Sequence, residues 1–180
     1  ITYIKVWLSE FCYTFAYLSL ITDAYSHEIV GWAVGKTLET CYASEALTMA
    51  LSRLDGKNEE YTSQLIHHSD RGVQYASEEY VNLLRKNSIR ISMTEKGDPK
   101  ENAIAERVNQ TVKNELLKDI RFHSVGEIRD ALKVAVEFYN TRRPHMSVYM
   151  MTPEEAANCN GIIRKWWRSY REEAIKSQTA

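Results

Sequence analysis

The sequence predicts an α/β fold: a five-stranded mixed sheet, made of an antiparallel meander plus parallel strands, flanked by helices. Three observations predict it. Residues 1–36 hold three β-like runs joined by short turns, and short turns link antiparallel neighbours. Two later β-like runs, Leu65–Ser69 and Arg90–Met93, each follow a helical stretch, as a crossover to a parallel strand requires. Helical patterns dominate the remainder of the chain.

The elements follow in order. Ile1–Val6 (ITYIKV) reads as a strand, and Ser9-Glu10 as a turn. Phe11–Thr22 is rich in β-branched and aromatic residues and reads as the second strand. Asp23–His27 is a turn, and Glu28–Lys36 (EIVGWAVGK) is the third strand. Trp7 and Trp32 read as packing residues. Thr40 is the expected cap of a helix whose apolar side is Ala43, Ala46, Leu47, Ala50, Leu51 and Leu54. Asp55-Gly56 stops it, and a polar loop follows. Leu65–Ser69 is then expected beside the first strand, parallel to it.

Ser77 caps the next helix, with Glu78 and Glu79 in its first turn and Arg85 and Lys86 near its end. After the strand Arg90–Met93, Thr94–Glu101 reads as a loop beside the site. The following helix carries Ile104, Val108, Val112 and Leu116 on one apolar face, in steps of four. Ser124 and Glu127 are spaced as a capping box for a long amphipathic helix through Tyr139. Thr152-Pro153-Glu154-Glu155 starts a last short helix.

Composition narrows the function. A chain of 180 residues suits one domain with a sizeable core, and 44% apolar with 26% charged residues is ordinary for a globular protein. No apolar run approaches the ~20 residues that span a bilayer, so a membrane role is not expected. Cys12, Cys41 and Cys159 are odd in number and far apart, which favours reduced cytoplasmic thiols over a disulfide framework. No Cys/His cluster has zinc spacing. His67 and His68 are adjacent on a strand and point to opposite faces, which suits structural roles. The net charge of −1 rules out a uniformly basic nucleic-acid binder, so any such surface is local.

The chemistry centres on two carboxylates. Asp70 closes an apolar run, and Glu106 lies within a helix, with 35 residues between them. An acid at the end of a buried strand faces the rim where ligands bind in open α/β folds. A helix crossing that rim brings a second acid to meet it. Converging carboxylates commonly hold divalent metals for phosphoryl transfer. Taken singly, Asp70 reads better as a turn residue in Asp-x-Gly, and Glu106 as a solvated helix residue; it is the text around them that favours the pair. Asn109, Gln110 and Lys113 sit three, four and seven positions after Glu106 and share its face. Arg142 and Arg143 end the long helix. They either meet phosphates or favour the helix C-terminus.

The words around these residues are specific. ITYIKV, YLSLITDAYSHEIVGW (Tyr17–Trp32), HSDRGVQYAS (His68–Ser77), GDPKENAIAERVNQTVKNEL (Gly97–Leu116), YNTRRPH (Tyr139–His145) and MTPEEA (Met151–Ala156) occur in this order. Together they resemble the integrase core (rve-type) catalytic domain of insertion-sequence transposases, in the retroviral-integrase-like superfamily. The resemblance covers residues 1–157; residues 158–180 form a basic extension containing Trp166 and Trp167, with net charge +3 from residue 161 on.

The resemblance implies an RNase H-like fold and an Asp-Asp-Glu triad in which Asp70 is the second acid and Glu106 the third. It implies a two-metal site for Mg²⁺, or Mn²⁺, and DNA as partner. Asn109, Lys113, Arg142 and Arg143 then become the expected DNA contacts, and the active assembly a homo-oligomer. The family's first Asp immediately precedes the ITYI word. The sequence opening at Ile1 therefore reads as an excised piece lacking that acid, expected to be inactive by itself. The family's helical DNA-end-binding region is expected upstream. Asp23 does not take the missing place: it sits where Asp starts a turn. The rival readings are a non-catalytic DNA-binding or assembly module derived from a transposase, and a nuclease of RNA–DNA hybrids.

Overall fold

The computed structural model describes residues 1–95 and 102–166. Its strands are β1 (Thr2–Trp7), β2 (Tyr13–Thr22), β3 (Ile29–Gly35), β4 (Ile66–Ser69) and β5 (Arg90–Met93). Its helices are α1 (Thr40–Ser52), α2 (Glu59–Thr62), α3 (Glu78–Lys86), α4 (Ala103–Thr111), α5 (Val125–Thr141) and α6 (Pro153–Ala157). The expected loop at Thr94–Glu101 falls mostly outside the described residues, as does Trp167 with the rest of the extension.

The meander forms as expected, with β1 and β3 both antiparallel to β2. Alternation sends Ile4 and Val6 of β1, and Ala16 and Leu18 of β2, to the inner face. There they meet Val108 of α4, Val112, and Ile128, Leu132 and Val136 of α5 in the larger core. The other face of β3 is covered by α1. Gly31 and Gly35 permit this approach: a Cβ on Gly31 would lie 2.1 Å from the Ala46 carbonyl oxygen, and one on Gly35 within 2.1 Å of the Tyr42 ring. A second core gathers Ala43 and Leu47 of α1 with Tyr80 and Leu84 of α3 and Ile89.

The five strands hydrogen-bond as two ladders rather than one. β1, β2 and β3 form the first, and parallel β4 and β5 the second. The expected pairing of β4 with β1 does not occur among the described residues. The reason is register. Ile1 lines the same cleft as Ser69 and Asp70, so the start of β1 lies at the end of β4. Past that point β1 instead meets Phe122, through a parallel bridge at Val6 and a Trp7 N–H···O=C bond of 2.7 Å.

Helix ends show where local signals hold. Ser77 caps α3, accepting from the Tyr80 N–H at 3.3 Å, and Thr152 with Glu155 completes a capping box at α6. Glu39, not Thr40, is the cap residue of α1, and its side chain makes no cap bond. Ser124 accepts from the Glu127 N–H, but the Glu127 carboxylate turns to the His123 N–H at 2.8 Å instead of closing the box. Where the sequence predicts only a polar loop, the short α2 forms, capped by Asn58 through a 3.0 Å bond from the Tyr61 N–H. After α4 the chain widens into a π-helical stretch, Val112–Leu116, closed by a Leu117 N–H to Val112 O=C bond. That shift buries Leu117, where stepping by four predicts Leu116.

Candidate active site

The end of β4 and the start of α4 open onto one cleft of about 580 Å³. Asp70, Glu106 and Asn109 all line it, together with Ile1. Asp70 and Glu106 are both exposed, so neither carboxylate is desolvated by the fold. Asp70 is aimed by its own turn: its Oδ1 accepts from the Gly72 N–H at 2.9 Å. A Cβ at Gly72 would sit 2.9 Å from that same oxygen, so glycine keeps the turn clear. Arg71 donates through Nε to the Thr94 carbonyl at 2.7 Å, tying the ends of β4 and β5 together. Thr94 N–H returns a 3.0 Å bond to Ser69.

Behind Asp70 lies an aromatic floor that sequence reasoning missed. Tyr75 and Tyr80 meet edge to face at 5.4 Å, and His67 packs on Tyr80 at the same centroid distance. His67 Nε2 lies 2.9 Å from the Tyr80 hydroxyl. The Ile1 backbone nitrogen lies 3.3 Å from the Tyr75 hydroxyl. Burial pushes the Tyr75 phenol above its usual range, with the Asp70 charge adding to the effect. The only sequence signal for this floor was its content of Tyr and His around a strand end.

Burial also lowers His67 to about 4 and His145 to about 4. Both titrate near 6.5 when unfolded. The unfolded chain therefore binds more protons between these values, and stability falls as pH drops from about 6.5 towards 4. We expect urea midpoints to decline over that window, and a His67→Gln chain to show a shallower decline. An unchanged slope would mean that His67 takes up its proton without unfolding.

The other expected residues divide. Asn109 turns into the cleft, and its buried Oδ1 has no hydrogen-bond partner among the described residues. Lys113 shares the helix but leaves the cleft, placing Nζ 4.0 Å over the Tyr3 ring. Arg143 binds Glu115 at 2.6 Å and lies beside His145. Arg142 is exposed at the end of α5, and neither arginine lines the cleft. Asp23 lines the far side, but its carboxylate is committed to a turn, accepting from the N–H and hydroxyl of Ser26 at 2.8 and 2.6 Å. His67 and His68 do face opposite ways, His68 reaching Ser92 at 2.9 Å.

The donor set suits a hard cation. Two carboxylates and an amide oxygen with no other partner offer oxygen ligands alone, as Mg²⁺ prefers. Among the described residues, no group of three His, Cys, Asp or Glu side chains is gathered to hold a metal.

A family model described as the integrase core domain matches residues 1–99, and a second of that description matches residues 87–153. The chain belongs to the integrase core domain family. Among curated integrase-core relatives, it is 30% identical over 162 residues to the transposase for insertion sequence element IS904 of Lactococcus lactis, covering 87% of this chain and 62% of that protein. It is 32% identical over 144 residues to a putative transposase for IS986/IS6110 of Mycobacterium tuberculosis, covering 79% and 50%. The chain thus spans about half to three-fifths of the length of these relatives. Its fold matches the HTLV-2 integrase catalytic core domain in complex with magnesium, with TM-score 0.60 and 19% identity, over 86% of this chain and 91% of that one. The fold is accordingly RNase H-like. No described helix is long and apolar enough to cross a membrane.

Proposed function

We propose that this integrase core performs DNA transposition by metal-dependent phosphoryl transfer: end cleavage, then strand transfer. One observation carries the reading. Asp70 and Glu106, far apart in sequence, line one cleft beside the start of β1. The position preceding Ile1 would enter that cleft next to Asp70, where a third carboxylate completes an Asp-Asp-Glu set. Asp70 and Glu106 would hold divalent metal, Mg²⁺ or Mn²⁺, with Asn109 beside them. When bound, a metal pair supplies an activated nucleophile and stabilises the leaving oxygen.

The protein's own contribution is placement. The Gly72 N–H fixes the orientation of Asp70, and the Arg71–Thr94 bond holds the rim from which it projects. Glu106 comes from a helix anchored by Val108 and Val112 in the larger core. The substrates in this reading are transposon ends and target DNA. Paired ends imply a homo-oligomer, acting in the cytoplasm on the nucleoid.

The test compares two polypeptides. The 180-residue chain by itself gives no Mg²⁺-dependent nicking of DNA, whereas one extended upstream with Asp immediately before Ile1 does. Robust nicking by the shorter polypeptide removes the need for the third acid. DNA binding without metal dependence, and no cleavage by either, supports the non-catalytic module instead.

A further inference from the structure

Beyond the acidic cleft, a second groove of about 560 Å³ runs between β1 and residues 113–122. Four cations line it, Lys5, Lys113, Lys118 and Arg121, against one acid, Asp119. This is a strong local excess in a chain whose net charge is −1. Among the described residues, none of the four cations has a carboxylate partner.

Three of them are held by aromatic rings instead. Lys113 sits 4.0 Å over Tyr3, Lys5 4.3 Å over Tyr13 and Arg121 4.6 Å over Trp7. The rings in turn brace one another edge to face: Trp7 with Tyr13, Tyr13 with Phe15, and Phe15 with Tyr3, all within 5.5 Å. The ladder exists because Tyr3, Lys5 and Trp7 alternate on the outer face of β1, opposite Tyr17, Phe15 and Tyr13 of β2. α1 covers that face at β3 and β2 and does not reach the outer edge at β1, where Tyr3 remains 53% exposed. With cations over their faces, these rings do not offer a stacking platform for bases. They present positive charge at fixed positions, which suits a phosphate backbone.

We infer that this groove binds the phosphodiester backbone of duplex DNA flanking the reacting phosphate. The inference rests on the function proposed above. Lys113 lies seven positions beyond Glu106, roughly 10 Å along the helix, or about three nucleotides of one strand. The groove therefore begins where a strand leaving the acidic cleft would arrive. Lys5, Lys118 and Arg121 extend the contact past Lys113.

The test is fluorescence anisotropy with the upstream-extended chain and a random-sequence duplex of about 20 bp, between about 50 and 300 mM salt. Each lost phosphate contact lowers the slope of log K against log salt by about 0.9, and costs about tenfold in affinity at the lowest salt. A K5Q/K118Q/R121Q chain is expected to lose about 2 to 3 from that slope. An R85Q/K86Q/K133Q chain, matched in charge but altered elsewhere on the surface, should keep it. Thermal melts of both establish that they fold.

Equal losses in the two triple variants would mean general electrostatics and overturn the groove. An unaltered slope in the first, in a chain that binds and nicks DNA, overturns the groove while leaving the function standing. No binding by the unsubstituted chain at about 100 µM and the lowest salt overturns both.

Discussion

Glu106→Gln, in the chain extended by Asp before Ile1, lowers Mg²⁺-dependent DNA cleavage by about 10³-fold or more. Gln keeps the length and shape of the side chain and removes only the charge. A catalytic metal stabilises several kcal/mol of developing charge, and each ~1.4 kcal/mol lost is a factor of ten. Because Glu106 is exposed and makes no ion pair among the described residues, the fold should hardly notice, with stability changing by less than about 0.5 kcal/mol. Cleavage and melting measured on the same preparation separate the two effects. Retained cleavage would remove Glu106 from the metal-holding pair. A large fall in melting temperature would assign the loss to folding instead.

The largest effect on stability is expected at Asn140, on the last turn of α5. Its side chain closes a two-bond clamp on β3. The Ile29 N–H donates to Oδ1 at 2.9 Å, and Nδ2 donates to the Ile29 carbonyl at 3.0 Å. Both ends of the clamp are buried. Asn140→Ala orphans a buried donor and a buried acceptor, each costing about 1–3 kcal/mol. We expect a net loss of about 2–4 kcal/mol, or roughly 5–15 °C in melting temperature for a chain of this size. A loss below about 0.5 kcal/mol would show that water takes the amide's place.

Asn140 also marks the limit of what the sequence discloses. It sits in the Tyr-Asn-Thr word and reads as a helix end, because its partner lies 111 residues earlier on β3. Arg143 is similar: its Glu115 partner is 28 residues away, and nothing local announces it. The acids were legible for a different reason. Asp70 ends a short strand and Glu106 starts a helix, and both are local patterns that the fold then brings together. Lys113 was legible only in part. Helical offset placed it on the face of Glu106, but the ring that draws it aside belongs to β1. α2 spans four residues and lacks a buried one, its Tyr61 lying exposed, so hydrophobic periodicity gives no sign of it. The division into two ladders is not legible in the sequence, because strand order follows from crossovers, whereas register does not.

The two hydrophobic clusters give the acidic cleft an unusual mechanical position. Glu106 is carried by the cluster of β1–β3, α4 and α5, whereas Asp70 projects from β4, beside the cluster of α1, α3 and Ile89. The two acids thus stand beside different clusters, and native-state hydrogen exchange measures whether such clusters open as separate units. A cation bridging them would act as a cross-link between those units. Its binding energy would appear as slower amide exchange in both clusters at once, and chelation would let them open independently.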